Sequence, residues 1–189
     1  MIRLENVTCG YGDKLPIRNL SAAFPQKGCV AVLGASGSGK STLIKLLAGL
    51  IKPVEGTITG LTKLKIAVVF QEDRLLPWYT VRQNVAIPNP EGDALGAITD
   101  MELEDYAGKP PNELSGGMQR RTAIARALCF GGGILLLDEP FKGLDDELKR
   151  RVTERMRGRF PLTIIATHDA EEARALAGDD GFMELWCGV

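Results

Sequence analysis

The chain has 189 residues, 44% of them hydrophobic, which suits one compact α/β domain spanning 1–189. Its 23 Lys and Arg residues nearly balance its 24 Asp and Glu residues, for a formal net charge of -1, which excludes a global attraction to nucleic acid or anionic lipid. The apolar runs are far shorter than the roughly 20 residues of a membrane-spanning helix, and the polar N-terminus resembles no export signal. We therefore expect a cytoplasmic protein that needs a partner to associate with a membrane.

In chain order, the polar N-terminal stretch is strand-like, and four short apolar runs predict buried strands. These runs are CVAVL (29–33), KIAVVF (65–70), GILLL (133–137) and LTIIAT (162–167), and GFMELWCGV (181–189) predicts a last strand. Unbroken apolar runs of this length are typical of parallel strands that are buried on both faces. An apolar stripe in 40–51 and a four-residue repeat from Leu144 to Met156 predict helices. A doubly wound α/β core with a mostly parallel sheet is the expected architecture.

The four cysteines are scattered, with no CxxC pair and no neighbouring histidine that could complete a metal site. They are Cys9, Cys29, Cys129 and Cys187. We expect reduced thiols.

Polar residues follow each of the four predicted strands. Gly34 follows the first strand, Gln71 the second, Asp138 and Glu139 the third, and His168 the fourth. Carboxyl ends of parallel strands share one edge of a sheet, where open α/β folds bind their ligands. His168 is the only histidine in the chain, and a lone histidine is often a structural or surface group. Its place in this series favours a functional role.

The most specific motif is GASGSGKST, residues 34–42, which fits the phosphate-binding pattern GxxxxGK[ST] between a strand and a helix. Glycine permits the dihedral angles with which successive backbone N–H groups point at one phosphate. The positive end of the following helix dipole adds to the attraction. Lys40 would reach the β and γ phosphates, and the Ser41 hydroxyl would face Mg²⁺. The alternative is a glycine turn capped by serine.

Two further motifs complete the pattern. In ILLLDEP, Asp138 is placed to hold Mg²⁺, directly or through water, and Glu139 to orient and deprotonate an attacking water. In NELSGGMQRRTAIARAL (112–128), Ser115 and two glycines begin a predicted helix, which is an anion-binding arrangement. This second anion site has no lysine of its own, so it reads as half of a site.

These motifs together resemble the nucleotide-binding subunit of ATP-binding cassette (ABC) transporters, over nearly the whole chain. The matching segments are GASGSGKST (Walker A), Gln71 (Q-loop), LSGGM (signature), ILLLDEP (Walker B), GLDD (D-loop) and His168 (switch histidine). Tyr11 lies where family members place an aromatic ring under adenine. The resemblance implies a P-loop NTPase core with N-terminal antiparallel β strands and an inserted helical subdomain, here abbreviated and placed at approximately 72–115.

The resemblance also implies a head-to-tail dimer with two ATP molecules, each bound between the Walker motifs of one subunit and the signature of the other. Ser115 and Gly117 would contact the γ phosphate in the partner's site, which explains the half-site. His168 would hold the phosphate and the attacking water in line. Gln71 would report the nucleotide to the membrane subunit, and Asp145 would link the two sites.

The implied site residues fall into three overlapping groups. The nucleotide-binding group is Tyr11, Gly34, Ala35, Ser36, Gly37, Ser38, Gly39, Lys40, Ser41, Thr42, Gln71, Ser115, Gly116 and Gly117. The metal group is Ser41, Gln71 and Asp138, and the catalytic group is Lys40, Glu139 and His168. The implied ligands are ATP and Mg²⁺.

The stretch VFQEDRLLPWYTVRQNV (69–85) resembles the ATPases of nitrate, sulfonate and taurine type importers. It follows the Q-loop, where the family docks the permease, so LLPWYTV could line an apolar socket; an ordinary buried loop is the alternative. The chain departs from the family pattern in two places. Residues 91–107 predict only one short acidic helix, and Gln119 and Arg120 stand in exchanged order after the signature.

Other function classes remain open at this level. A cassette ATPase of DNA repair would use a basic surface such as KRRVTERMRGR (149–159), although an amphipathic helix explains the same residues. A small-molecule P-loop kinase explains neither LSGG nor the histidine strand, and an exporter ATPase shares all the motifs. The prediction is an ATP hydrolase, peripheral on the inner face of the membrane, that drives a permease and binds no nucleic acid.

Overall fold

A computed structural model describes residues 1–62, 64–178 and 181–187. The strands are β1 (Ile2–Tyr11), β2 (Lys14–Phe24), β3 (Gly28–Leu33), β4 (Glu55–Thr59), β5 (Ile66–Val69), β6 (Ile134–Asp138), β7 (Leu162–Ala166) and β8 (Phe182–Trp186). The α-helices are α1 (Lys40–Leu47), α2 (Val81–Ala86), α3 (Ala94–Asp100), α4 (Gly116–Phe130), α5 (Asp146–Met156) and α6 (Ala170–Ala177).

The strands form two sheets. The smaller sheet is antiparallel, in the order β2-β1-β4, and the larger is parallel, in the order β5-β6-β7-β3-β8. The prediction of a mostly parallel sheet with N-terminal antiparallel strands is confirmed. Each of the four apolar runs forms a strand of the parallel sheet, and GFMELWCGV contains β8, although its residues 188 and 189 lie outside the described part.

Apolar side chains of the parallel sheet alternate between two cores, as the two-residue period of a strand requires. In β3, Cys29, Ala31 and Leu33 face a core shared with α4, α5 and α6. Val30 and Val32 face the opposite core, which contains α1 and the antiparallel sheet. Because both faces are covered, the sheet needs continuous apolar runs, which explains why the runs were visible in the sequence.

The segment between β5 and α4 is helical but short. It contains α2 and α3, followed by 3-10 turns at Glu104–Tyr106 and Pro111–Glu113. The Thr80 side chain accepts a hydrogen bond from Gln83 N, and the Gln83 side chain accepts one from Thr80 N, so a reciprocal capping box begins α2. Within 91–107 the structure has one α-helix and one 3-10 turn, close to the predicted single helix.

The sequence patterns did not predict helices α6 and α2. Both are short, at 8 and 6 residues, which leaves a periodic pattern little length in which to appear. In the described part of the chain, no helix has the length and apolar character needed to cross a membrane.

Candidate nucleotide site

The carboxyl edge of the parallel sheet brings the sequence-predicted polar groups together. Because β5, β6, β7 and β3 are adjacent and parallel, the residues that follow them emerge side by side. A cleft of about 610 Å³ at this edge is lined by the glycine loop and by Gln71, Glu139 and His168. The shared edge that the sequence predicted is therefore confirmed.

The glycine loop between β3 and α1 depends on backbone angles that other residues rarely adopt. Gly37 and Gly39 have φ angles of 82° and 101°, and Gly39 is the N-cap of α1. A Cβ atom on Gly34 would lie 2.7 Å from the backbone oxygen of Cys187, so the loop also needs glycine there for space. The resulting loop carries its backbone around the start of α1, where the helix dipole favours an anion.

Lys40, the first residue of α1, is directed back over the glycine loop. Its ammonium group donates to the carbonyl oxygens of Gly34, at 2.7 Å, and Ala35, at 3.0 Å. The side chain lines the cleft although the residue is only 8% exposed. A buried cation over a concave glycine loop is an arrangement suited to phosphate.

Ser41 and Asp138 form an oxygen pair at the junction of α1 and β6. The Ser41 hydroxyl donates to Asp138 Oδ1 at 3.0 Å. Burial raises the pKa of Asp138, an effect opposed by the Ser41 hydrogen bond and increased by the neighbouring Glu139 charge. A hydroxyl and a carboxylate beside a phosphate loop are the hard oxygen donors that Mg²⁺ prefers, so these residues fit the metal.

Glu139 and His168 contact each other across two neighbouring strands. His168 Nδ1 lies 3.0 Å from Glu139 Oε2, and the backbone N–H of Glu139 donates to Ala166 O at 2.8 Å. Glu139 has a φ angle of 48°, a strained left-handed conformation for a side chain of this size. Such strain is characteristic of functional positions, where surrounding contacts hold the residue in place.

A polar network that was not predicted from the sequence supports the histidine loop, residues 167–169 between β7 and α6. The Thr167 hydroxyl donates to Glu172 Oε2 at 2.8 Å, and Lys149 Nζ lies 3.0 Å from Glu172 Oε1. The hydroxyl of Thr167 also accepts a hydrogen bond from Asp169 N at 3.1 Å. Lys149 belongs to α5, whose N-cap is Asp145, so this network ties the D-loop helix to the residue beside His168. In the sequence Lys149 was visible only as part of a basic stretch.

The two signature glycines lie on a second cavity, of about 700 Å³, that adjoins the cleft. Ser115 is the N-cap of α4, where its side chain accepts a hydrogen bond from Met118 N at 3.2 Å. Ser115 and Gly116 are exposed. Gly116 and Gly117 line the second cavity, together with Gln71 and Asp138. The signature therefore presents the exposed N-terminus of a 15-residue helix.

The predicted site residues divide by the cavity that they line. The cleft is lined by Ser36, Gly37, Gly39, Lys40, Ser41, Thr42, Gln71, Glu139 and His168, and the second cavity by Ser41, Gln71, Gly116, Gly117 and Asp138. Tyr11, Gly34, Ala35, Ser38 and Ser115 line neither cavity. The Tyr11 ring is 51% exposed and has the Lys45 ammonium 5.5 Å from its centroid, so its contact with adenine stays a prediction.

Comparison with known proteins agrees with this geometry. The sequence pattern of the ABC transporter family matches residues 17–142. The chain belongs to this family, as the order of the motifs predicted. The architecture is that of its ATP-binding cassette: a dimeric bacterial ABC transporter cassette superposes with a TM-score of 0.86 at 32% identity, covering 100% of this chain and 95% of that one.

Individual relatives give more detail. An aliphatic sulfonates import ATP-binding protein of Rhodococcus jostii is 40% identical over 93% of this chain and 75% of its own length. A protein of the same description from Agrobacterium fabrum is 38% identical over 92% of this chain and 67% of its own length. A cassette dimer bound to ADP and phosphate in a post-hydrolysis state matches with a TM-score of 0.83 and 31% identity, covering 100% of this chain and 95% of that one.

Proposed function

We propose that this chain is the ATP-binding and ATP-hydrolysing subunit of an importer, in which it drives a separate transmembrane permease. The observation that carries the proposal is the contact of Glu139 Oε2 with His168 Nδ1, at 3.0 Å, on the same cleft as the glycine loop and Lys40. The family membership and the post-hydrolysis cassette relative support ATP as the substrate.

The catalytic roles follow from the positions of the groups. The glycine loop and Lys40 would bind the phosphates by N–H groups and a buried charge. The Glu139 carboxylate would accept a proton from the attacking water as general base, and His168 would orient that carboxylate and the γ phosphate. The Thr167–Glu172–Lys149 network would limit the movement of the histidine loop.

Ser41 and Asp138 would hold Mg²⁺, with Gln71 on the same cavity wall. When bound, the metal would neutralise part of the negative charge of the phosphates. The 3.0 Å contact between Ser41 Oγ and Asp138 Oδ1 supports this assignment, since both oxygens already converge on one point.

We infer that two copies of the chain close on ATP, and that Ser115 and Gly117 of one copy complete the site of the other. The exposed N-terminus of α4 provides backbone N–H donors for an anion, and the signature motif contains no lysine that would complete a phosphate site. The dimeric cassette relative supports this arrangement. ATP would favour the closed dimer through contacts that the open state lacks.

For the transported solute, we propose an organic sulfonate, or a solute of the related nitrate and taurine type. The names of the aliphatic sulfonate import relatives support this class. Trp78 is 73% exposed in the segment after Gln71, where it would contact the permease. The chain would then lie at the cytoplasmic face of the membrane, bound to its permease. Uptake of sulfonate, nitrate or taurine into vesicles that contain both subunits distinguishes the three solutes.

The variant Glu139→Gln tests the hydrolytic role. We expect ATP hydrolysis to fall about 10²-fold or more, because the amide cannot accept the proton from water. Nucleotide binding should remain, so the variant should accumulate as an ATP-bound dimer on gel filtration. Arg150→Gln is the matched control, since this exposed arginine forms an ion pair with Glu154 of the same helix and lines neither the cleft nor the second cavity. Wild-type phosphate release by Glu139→Gln would refute Glu139 as the base.

A further inference from the structure

Helix α4 holds the segment that follows β5. We define this Gln71 segment as residues 70–74. Arg120 NH1 donates to Phe70 O at 2.6 Å, and Arg120 NH2 donates to Gln71 O. These carbonyls lie just beyond the last paired residue of β5, Val69, where the sheet no longer supplies donors. Beyond the last backbone hydrogen bonds of β5, the Arg120 guanidinium group therefore holds the chain at Gln71.

A second arginine of the same helix continues the attachment. Arg126 NH2 donates to Asp73 O at 2.7 Å, and Arg126 NH1 donates to Arg74 O at 2.8 Å. The two arginines thus bind four carbonyl oxygens of the Gln71 segment. A planar guanidinium group binds two acceptors at fixed angles, so it restrains orientation as well as distance.

The environment of Arg120 makes this attachment specific. The Arg120 side chain is only 6% exposed, and Asp73 Oδ1 lies 3.1 Å from its NH1 atom. The contact with Asp73 is ionic, because this oxygen accepts no well-directed hydrogen bond from any described residue. Burial raises the pKa of Asp73, and the Arg120 and Arg126 charges oppose that rise. A buried cation is stable only while its acceptors stay in place, so movement of the segment away from α4 is costly.

The exchanged order of Gln119 and Arg120 sets which group faces the Gln71 segment. Successive helical residues point about 100° apart. Gln119 Nε2 donates to Pro111 O at 3.0 Å and to Leu114 O at 3.2 Å, in the turn before the signature. Arg120, one residue later, faces the Gln71 segment. The departure from the family order therefore places a charge where the usual order has an amide.

We propose that Arg120 is a positioning residue that makes the Gln71 segment and the signature end of α4 move as one unit. This inference rests on the proposed function, in which Gln71 contacts the chain's own nucleotide and Ser115 contacts the partner's. Arg120 lies less than two turns from the Ser115 N-cap on a continuous helix. A shift of Gln71 is then transmitted to the signature through α4, and the state of one site affects the other.

Hydrogen–deuterium exchange of the full-length chain tests the attachment without requiring ATP hydrolysis. The exchange is read at the protected amides on either side of the bound carbonyls, in β5 and at Leu76, whose N–H donates to Asn84 Oδ1 at 2.7 Å. In Arg120→Gln we expect faster exchange at these amides and unchanged exchange in β6 and β7. The double variant Gln119→Arg/Arg120→Gln keeps the composition and net charge and should show the same local increase. Arg150→Gln should leave the exchange in β5 and at Leu76 as in the wild type. Unchanged exchange at these amides in a folded Arg120→Gln chain overturns the proposal.

Kinetics separate positioning from simple stabilisation. We expect Arg120→Gln to lower kcat for ATP hydrolysis about 10-fold or more, with KM for ATP within about twofold, since misplacement of a group by about 1 Å has effects of this size. Gln71→Ala retains the main-chain oxygen that Arg120 binds but removes the side chain that Arg120 is proposed to position. Adding Arg120→Gln to Gln71→Ala should therefore have little further effect on kcat. Fully additive losses, or a global increase in exchange with lower Tm, would mean a structural role only. If the chain hydrolyses no ATP, the proposed function fails, whereas the exchange result still decides the attachment.

Discussion

At the residue scale, the site combines a buried carboxylate whose charge is unfavourable for folding with a neighbouring residue in a strained backbone conformation. Asp138 is 2% exposed, and Glu139 has a positive φ angle. Lys40 is buried against carbonyl oxygens of the glycine loop. The buried Asp138 carboxylate and the backbone conformation of Glu139 are each unfavourable for folding, a combination that is common at functional sites.

Asp138→Asn separates stability from function. Burial raises the pKa of Asp138 above its ordinary value of 3.8, so the folded state binds its proton more tightly than the unfolded state does. The carboxylate therefore destabilises the fold as the pH rises through its folded pKa, and fully so above it. We expect Asp138→Asn to raise Tm at pH 7, with no gain well below pH 3.8, where both states are protonated.

The same variant should lose about 10²-fold in Mg²⁺-dependent ATP hydrolysis, because the neutral amide is a poor ligand to the metal or to its water. Thermal unfolding at pH 7 and pH 3, together with phosphate release, measures both effects. A lower Tm at pH 7 would contradict the sign derived from burial.

At the scale of elements, α4 organises the helical half of the chain by three arginines that point in different directions. Arg120 and Arg126 bind the Gln71 segment, and Arg121 NH1 donates to Met101 O at 2.5 Å and to Glu102 O at 2.9 Å. These last carbonyls follow the C-terminus of α3. Helix α4 thus supplies donors that two neighbouring segments cannot provide for themselves.

Arg121→Met should destabilise the fold by about 2 kcal/mol, since it leaves the buried carbonyl oxygen of Met101 without this donor and removes a partly buried hydrogen bond to Glu102 O. Burial already lowers the pKa of Arg121, in keeping with a desolvated cation. Arg151→Met is the matched control: Arg151 binds the Glu102 carboxylate, but its side chain is 37% exposed, so solvent should compensate for its loss. Urea unfolding of both variants makes the comparison, and equal losses would contradict the role of burial.

At the scale of the whole molecule, the two cores on either face of the parallel sheet enclose all four cysteines. Cys9, Cys29, Cys129 and Cys187 are free thiols and buried. Burial raises the pKa of Cys29 to about 12. The reduced state of the four thiols stays a prediction, and a thiolate is essentially absent from Cys29 at neutral pH.

Thiol labelling should consequently report opening of the fold. We expect slow reaction of the native chain with a thiol reagent at pH 7 and rapid reaction of all four thiols in denaturant. The Cys29→Ala variant identifies its contribution by mass spectrometry. Fast labelling of Cys29 in the native state would show that the sheet opens locally.

The predicted family and fold are confirmed, and many of the residues that line the cleft could be singled out in the sequence. Gly34, Gln71, Glu139 and His168 could be placed because apolar runs mark buried parallel strands, and parallel strands end at one edge. The roles assigned to individual site residues, and the abbreviated helical subdomain at 72–115, stay predictions. The exchanged Gln119 and Arg120 were noticed in the sequence, but their partners were not.

The sequence by itself determined the order of the motifs, the strands that carry them and the phosphate loop, because these depend on local composition and period. Only the tertiary structure decided that Arg120 holds the Gln71 segment, 49 residues away, and that Lys149 reaches Glu172 beside the histidine loop. It also placed the Tyr11 ring near Lys45 and outside both cavities. Contacts between distant residues depend on the packing of whole elements, and no local spacing encodes them.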